Sequence, residues 1–194
     1  MPSPGFKPRP YSTAVSDDSI HSALNHLSKK GLRVPVPVRN LEGNTWKLET
    51  VPLLNEETES CERKKCAIHL LTFLTGIPLQ QLKITCDLLF QLGSLLAQFH
   101  NATEVRFLHG DFNDLNILAR EKSSERNNRM FVIDGILDFE DMHYGNYVWD
   151  IGLMLTHVLM GQHDMDVLEA VGHALAGYLS CRSLSDMELS FLKN

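Results

Sequence analysis

Three oxygen-bearing side chains of this sequence have a spacing that suits phosphoryl transfer. Residues 109–116 read His-Gly-Asp-Phe-Asn-Asp-Leu-Asn, so Asn116 follows Asp111 by five positions, and Asp138 follows Asn116 by 22. In phosphoryl-transfer sites one Asp orients the acceptor hydroxyl and takes its proton. An Asn and a second Asp hold the magnesium ions that bridge the nucleotide phosphates. We therefore predict that Asp111 is the catalytic base and that Asn116 and Asp138 are metal ligands.

Each of these residues also has a purely structural explanation when it is considered alone. A His-Gly-Asp run can form a turn in which the Asp receives amide hydrogen bonds, and Asp138 can cap a helix. Neither explanation requires an Asn five positions after the first Asp. Apolar, strand-like segments also flank the constellation at 107–108, 117–118 and 131–137. This context favours a catalytic loop between strands.

Hydrophobic periodicity predicts the helices that surround this loop. Ser16 or Asp17 can cap the first of them, Gly31 can end it, and Ser185 with Glu188 can form a capping box at the last. The helix predicted at 147–160 is nearly all apolar and is therefore expected to be buried. The predicted helices cover residues 17–30, 82–100, 147–160, 164–179 and 185–192.

Strands and loops are predicted from β-branched and aromatic runs and from proline, glycine and charged residues. Strands are expected at 46–51 and 67–74, with a proline-rich edge segment at 34–38. Residues 55–65 are expected to form a charged loop. Residues 121–129 are expected to form a polar turn between two antiparallel strands.

The catalytic-loop residues resemble the aminoglycoside phosphotransferase and choline kinase-like family. That family has His-Gly-Asp, as at 109–111, where protein kinases have His-Arg-Asp, and its magnesium-binding Asp lies in a motif like Leu-Asp-Phe at 137–139. Residues 144–152 also match. The resemblance implies an α+β, protein-kinase-like two-lobe fold with a reduced N-lobe and a shortened C-terminal helical region. The expected parts are a disordered leader (1–16), a partial N-lobe with hinge (17–79) and a C-lobe with the catalytic loop (80–194).

The resemblance also implies roles for residues outside the three-residue constellation. The hinge segment can alternatively be an ordinary buried strand, and the acidic residues after Asp138 can be a solvated turn. The implied roles are contact with the purine by Thr72, Phe73 and Leu74, contact with an ammonium group of the substrate by Glu140, Asp141 and Tyr144, and bracing of the loop by His109 and Asp150.

By this resemblance the chain is expected to be a small-molecule kinase with Mg²⁺ as cofactor and GTP or ATP as donor. The acceptor is expected to be a hydroxyl of an amine-bearing metabolite, and the match at 113–118 and 135–142 implies 5-hydroxylysine. Two alternatives remain open. One is a truncated, catalytically impaired pseudokinase that acts by binding only, because Lys7 has no Gly-rich loop before it. The other is a phosphotransferase that acts on aminoglycoside antibiotics.

Composition limits the partners of the chain. Its 194 residues are 43% hydrophobic and 22% charged, with a net charge of −6, which disfavours nucleic acid and suits a cationic substrate. The longest apolar run, 151–161, is too short to span a bilayer, so no membrane partner is expected.

The four cysteines lack Cys-x-x-Cys spacing. A zinc site at Cys61, Cys66 and His69 is therefore disfavoured, and reduced thiols in a cytoplasmic protein are expected. Oligomeric state is left open.

Overall fold

The computed structural model describes residues 17–55, 60–103, 106–125, 128–161 and 164–192. The expected leader, with Lys7, lies outside this part of the chain. The described residues mix helices with antiparallel sheet, as the α+β expectation requires. None of the helices there combines the length and the apolar character needed to cross a membrane.

All five predicted helices are present, with ends that differ from the predictions by a few residues. The second begins at Cys86 rather than near residue 82, because the Thr85 hydroxyl caps it by accepting a hydrogen bond from the Leu88 amide at 3.2 Å. The predicted capping box of Ser185 and Glu188 is formed. The helices are α1 (Asp17–Lys29), α2 (Cys86–Ala102), α3 (Val148–Met160), α4 (Val167–Cys181) and α5 (Asp186–Phe191), with a 3-10 turn at Leu79–Gln81.

The strands form three small antiparallel sheets. The first has the order β1-β3-β2, the second β4-β6-β7, and the third pairs β5 with β8. The proline-rich segment lies at the edge of the first sheet, as predicted. The strands are β1 (Pro37–Val38), β2 (Trp46–Asn55), β3 (Ser60–Leu71), β4 (Ile77–Pro78), β5 (Phe107–Leu108), β6 (Ile117–Glu125), β7 (Asn128–Ile136) and β8 (His143–Tyr144).

Three of the local predictions are wrong. The predicted charged loop at 55–65 contributes Asn55 to β2 and residues from 60 onward to β3, while 56–59 lie outside the described residues. The antiparallel pairing predicted around 121–129 is confirmed, but β6 and β7 extend into the predicted turn. Charged residues do not prevent pairing there, because antiparallel strands bond to each other through backbone N–H and C=O groups. Helix α3 is also not fully buried, since Trp149 and Met160 are 73% and 70% exposed.

Helices α2 and α4 form the closest packed pair in the core. A Cβ atom on Gly93 would lie 1.8 Å from the carbonyl oxygen of Ala174, and one on Gly177 would lie 1.9 Å from that of Phe90. The two helix backbones are therefore in direct contact, which only glycine permits. The same core extends to the catalytic loop and to the strands beside it through buried Phe112, Ile117, Ile136 and Phe139.

Candidate active site

The catalytic loop follows β5 and packs on the segment that follows Asp138. Gly110 has φ +83°, and a Cβ there would lie 2.3 Å from the backbone oxygen of Asp141. Only glycine satisfies both the left-handed backbone and the close approach. The loop that carries Asp111 and the segment that carries Asp138 are therefore fixed against each other.

Two amide groups hold the Asp111 carboxylate. Asn113 Nδ2 donates to its Oδ1 at 2.8 Å, and Asn116 Nδ2 donates to its Oδ2 at 2.9 Å. The side-chain oxygen of Asn113 in turn accepts from the backbone amides of Leu115 (2.9 Å) and Asn116 (3.1 Å). Asn113 was not among the residues predicted for the site. An Asn in a loop is itself the signal for an Asx turn, in which its side-chain oxygen accepts from the backbone amide two residues later.

Asn116 and Asp138 lie at neighbouring ends of two paired strands. Ile117 of β6 pairs with Ile136 of β7, and the Leu137 amide donates to the Asn116 carbonyl at 2.8 Å. Asp138 is exposed and has φ +56°, and no other non-glycine residue in the described ranges has a positive φ. A left-handed residue of this kind costs free energy and is enriched at functional sites.

The side-chain oxygens of Asn116 and Asp138 suit a hard divalent cation. Both hydrogen bonds that the Asn116 amide makes to Asp111 use its nitrogen, which turns its oxygen away from Asp111. The Asp138 carboxylate is exposed, and its contact is a long one of 3.5 Å from the Glu140 amide. Oxygen ligands of this type are those that Mg²⁺ prefers.

Asp150 holds the backbone of the catalytic loop. Its Oδ2 accepts from the His109 amide at 2.7 Å, and its Oδ1 accepts from the Gly110 amide at 3.0 Å. It lies at the start of α3 and is 1% exposed. Burial raises its pKa, but hydrogen bonds from His100 and from these two amides outweigh burial and hold the pKa below its ordinary value. Asp150 is therefore a buried carboxylate that fixes the loop.

His109 is fully buried behind the loop. Its Nε2 lies 3.0 Å from the Leu137 carbonyl, and its Nδ1 accepts from the Asp111 amide at 3.3 Å. Burial lowers the pKa of His109, although the charge of Asp150 and the hydrogen bond to the Leu137 carbonyl act to raise it. The ring is therefore neutral, with its proton on Nε2. It connects Asp111 with the residue before Asp138.

A second buried histidine, His100, was not predicted to take part in the site. Its Nε2 lies 3.1 Å from Asp150 Oδ2, and its Nδ1 lies 2.9 Å from the Tyr178 hydroxyl. Burial lowers the pKa of His100 and raises that of Tyr178. The neutral arrangement is therefore a chain in which Tyr178 donates to His100, and His100 donates to Asp150. No local sequence signal identifies this chain, because its members come from α2, α3 and α4.

The predicted hinge residues, Thr72, Phe73 and Leu74, lie next to the linker that follows α1. Thr72 exchanges hydrogen bonds with Val36 through its backbone amide (2.9 Å) and its hydroxyl (2.8 Å). Phe73 is 88% exposed, and Leu74 is half-buried. Further along, the Gln80 amide donates to the Asp114 carbonyl at 3.1 Å, which connects the end of the hinge with the catalytic loop.

Glu140, Asp141 and Tyr144 lie on the exposed side of the segment that packs on Gly110. The ring of Tyr144 stacks on Phe107 of β5, with ring centroids 4.2 Å apart. Their exposed carboxylates and ring stand beside the loop that carries Asp111. The structure thus brings the predicted substrate contacts, the predicted metal ligands and the predicted catalytic loop together. Within the described ranges, no hydrogen bond or ring contact joins Thr72, Phe73 or Leu74 to that loop.

Comparison with known proteins gives one family match and several relatives. Residues 101–184 match the phosphotransferase enzyme family. Hydroxylysine kinase from Xenopus laevis is 25% identical over 238 aligned positions, which cover 89% of this chain and 62% of the relative. Hydroxylysine kinase from Bos taurus is 35% identical over 80 residues, which cover 41% of this chain and 21% of the relative. The chain thus spans less than two thirds of the length of these curated relatives.

Solved structures show the same fold. An aminopropanol kinase associated with a microcompartment superposes with a TM-score of 0.59 at 17% identity, covering 96% of this chain and 71% of the other. An amicoumacin kinase in complex with AMP-PNP and Ca²⁺ gives 0.64 at 16% identity, covering 89% and 64%. The protein-kinase-like fold predicted from the loop residues is confirmed. From residue 101 to 184 this chain carries the pattern of the phosphotransferase enzyme family, and over part of their length it is similar to hydroxylysine kinases.

Proposed function

We propose that this chain transfers the γ-phosphoryl group of a purine nucleotide to a hydroxyl of an amine-bearing small molecule. The observation that carries the proposal is the arrangement of three side chains. The Asp111 carboxylate is held by the Asn116 amide at 2.9 Å, and Asp138 stands in a left-handed conformation beside Asn116. This order of base and metal ligands is that of phosphoryl transfer.

Asp111 would orient the acceptor hydroxyl and receive its proton. Because two amides fix both oxygens of its carboxylate, the group is presented in one orientation. Phosphoryl transfer depends mainly on alignment of the attacking oxygen and on charge stabilisation, so this fixed orientation is the main contribution of Asp111. Asp150 and His109 keep the loop backbone in the shape that this orientation needs.

Asn116 and Asp138 would hold the divalent cation through their side-chain oxygens. When bound, Mg²⁺ neutralises the charge that develops on the phosphates. The exposed position of Asp138 allows the nucleotide phosphates to reach this side of the site. Thr72, Phe73 and Leu74 stay the proposed contacts of the purine, and the exposed Phe73 ring is available for stacking.

The acceptor is proposed to carry an ammonium group, which Glu140, Asp141 and Tyr144 would face. Support comes from their exposed positions beside the Gly110 loop and from the names of the relatives, which are hydroxylysine kinases. We therefore propose 5-hydroxylysine as the acceptor and GTP or ATP as the donor. The cytoplasm stays the proposed location.

The test is nucleotide binding followed by turnover, with the purified chain. The melting temperature is measured with ATP and with GTP, each with and without Mg²⁺, for the wild type, Asp138→Ala and the surface control Asp164→Asn. Binding to the folded state alone raises the melting temperature. We expect a Mg²⁺-dependent rise in the wild type and the control but not in Asp138→Ala.

Turnover is then measured as nucleoside diphosphate formed in the presence of 5-hydroxylysine, lysine and simple amino alcohols. We expect product with the hydroxylated compounds and none with lysine, and a loss of at least about 100-fold in Asp111→Asn. Nucleotide binding without turnover of any acceptor would favour the alternative of a chain that acts by binding only. A cooperatively melting protein with no nucleotide shift would refute the kinase proposal.

A further inference from the structure

Three side chains of types that can bind transition metals lie close together where the start of α2 is next to α4. They are Cys86, the first residue of α2, and Glu169 and His173 of α4. Their potential ligand atoms all lie within 4.8 Å of one another, and Glu169 Oε1 lies 3.9 Å from His173 Nε2. None of the three has a role in the phosphoryl-transfer site.

The positions of the three residues follow from the packing of their helices. Glu169 and His173 are four residues apart and therefore share one face of α4. That helix is in backbone contact with α2 at Gly93 and Gly177. Lys83 Nζ also lies 2.8 Å from Asp164 Oδ2 just before the two helices, but this exposed pair adds little to their stability. Packing around the two glycines therefore holds the backbones that carry the three ligands in place before any ion binds.

The ligand types select the ion. A thiolate, an imidazole and a carboxylate form a mixed set that suits Zn²⁺, whereas Mg²⁺ and Ca²⁺ prefer oxygen ligands alone. Tetrahedral zinc with bond lengths of about 2.0–2.3 Å places its ligand atoms about 3.3–3.8 Å apart. The side chains of Glu169 and His173 are 57% and 37% exposed. They therefore have room to rotate and to close separations that are 3.9 Å between Glu169 and His173 and no more than 4.8 Å for any pair of the three.

We propose that Cys86, Glu169 and His173 bind one Zn²⁺ ion, with water in the fourth position. The ion would join the start of α2 to the face of α4 and so brace the helix pair that carries His100 and Tyr178. This site differs in residues and position from the disfavoured set of Cys61, Cys66 and His69.

The proposal is tested by metal binding, without any activity assay. The full chain is reduced, freed of metal and titrated with Zn²⁺ against a chromophoric chelator. Co²⁺ is added in a parallel titration to detect thiolate coordination by its charge-transfer absorption. The variants are Cys86→Ser, Glu169→Gln and His173→Gln, and the matched control is Cys181→Ser, which removes an exposed thiol outside the cluster.

We expect one Zn²⁺ per chain and a Co²⁺–thiolate band in the wild type and in Cys181→Ser. Loss of an outer partner of a metal ligand already costs about 10- to 100-fold in affinity, so loss of a ligand should weaken binding by at least about tenfold. The band should disappear in Cys86→Ser. Glu169→Gln and His173→Gln change surface positions, so they test the site even if Cys86→Ser fails to fold.

Two results would overturn the proposal. One is a wild-type chain that leaves Zn²⁺ with the chelator. The other is Zn²⁺ binding that persists in all three ligand variants. If that binding is then lost in Cys66→Ser, the ion belongs to the set of Cys61, Cys66 and His69. Because no nucleotide is present, both results are independent of whether the chain is a kinase.

Discussion

Asn113 holds the catalytic loop in shape through one amide group. Its nitrogen donates to Asp111, and its oxygen accepts from two backbone amides. The residue is 9% exposed, so water cannot easily replace these bonds. Its contribution is therefore to the orientation of the Asp111 carboxylate and to the stability of the loop together.

Replacement of Asn113 by Ala should impair turnover more than nucleotide binding. Loss of buried hydrogen-bond partners costs about 1–3 kcal/mol in the free energy of unfolding, and the freed Asp111 should lower kcat by at least about tenfold. Asn101→Ala is the control, since this exposed amide bonds Cys181 and Arg182 instead. Unfolding in urea and steady-state kinetics measure the two effects. Equal kcat in the two variants would contradict the proposed role.

Replacing Gly110 would cost free energy of unfolding for two reasons, its positive φ and the nearby Asp141 oxygen. A comparison with Gly43 separates the two contributions. Gly43 has nearly the same φ (+85°), but a Cβ there would meet nothing within 4 Å, whereas at Gly110 the Asp141 oxygen would lie at 2.3 Å. We expect Gly43→Ala to cost about 1 kcal/mol and Gly110→Ala to cost about 1–3 kcal/mol more. Denaturant unfolding measures both. Equal losses of unfolding free energy in the two variants would show that the loop moves to accommodate the added Cβ at no cost.

At the scale of elements, helices α2, α3 and α4 each contribute one member of a buried polar chain. Tyr178 donates to His100, and His100 donates to Asp150, which holds the catalytic loop. Burial keeps the pKa of His100 and that of His109 below the ordinary value. The packing of three helices and the shape of the loop therefore depend on two neutral imidazoles.

The stability of the chain should fall as the pH is lowered below about 6.5. In the unfolded chain each histidine binds a proton near that pH, whereas the buried imidazoles do not. The unfolded state then holds more protons, so the free energy of unfolding decreases by about 1.4 kcal/mol per pH unit for each histidine. The depressed pKa of Asp150 adds a further loss at lower pH, as its carboxylate is protonated.

Urea unfolding between pH 7 and pH 5.5 measures this slope. His100→Gln should reduce the slope by about one proton, because it removes a buried imidazole whose pKa is lowered by burial. Tyr178→Phe is the control, since it removes the hydroxyl bonded to Nδ1 but retains His100. It should lower stability at every pH without removing the slope. An unchanged slope in His100→Gln would show that this ring is protonated in the folded state.

Local signals predicted the elements well, and contacts between distant residues were the part that they missed. Ser185 and Gly31 mark helix ends through capping and positive φ, which depend on a few adjacent residues. The pairing of β2 with β3 depends on a partner strand, so a charged stretch was taken for a loop. The bond between His100 and Tyr178 joins residues 78 positions apart.

The same distinction applies to the candidate site. The spacing of Asp111, Asn116 and Asp138 predicts a catalytic loop, and the structure places these residues in one strand–loop–strand unit. Asn113 lies in the same unit but was not predicted, because the sequence does not show that its amide bonds Asp111. The exposure of Phe73 could not be read from an apolar run either, since periodicity does not distinguish a buried strand from an exposed hinge.

At the scale of the whole molecule, Arg33 connects the segment after α1 with the hinge and with β7. Its guanidinium lies 3.1 Å from Asp134 Oδ1 and 3.2 Å from the hydroxyl oxygen of Thr75. Its carbonyl accepts from the Ile136 amide at 3.1 Å. The Arg33 and Asp134 side chains are 24% and 21% exposed, so their charges are partly shielded from water.

Loss of this connection should loosen the first part of the chain while the α2–α4 core stays closed. We expect Arg33→Ala to lower the local opening free energy by about 1 kcal/mol, which raises hydrogen exchange roughly fivefold in 17–38 and 72–76. Exchange in α2 and α4 should not change, because their stability comes from packing around Gly93 and Gly177. The control is Arg39→Ala, whose side chain bonds only the nearby Gly43 carbonyl in the described part of the chain. Deuterium uptake, measured by mass spectrometry for each segment, distinguishes local opening of the first part of the chain from opening of the whole fold. A uniform rise that includes α2 and α4 would mean that the molecule opens as one unit, and that Arg33 stabilises the whole fold rather than one connection.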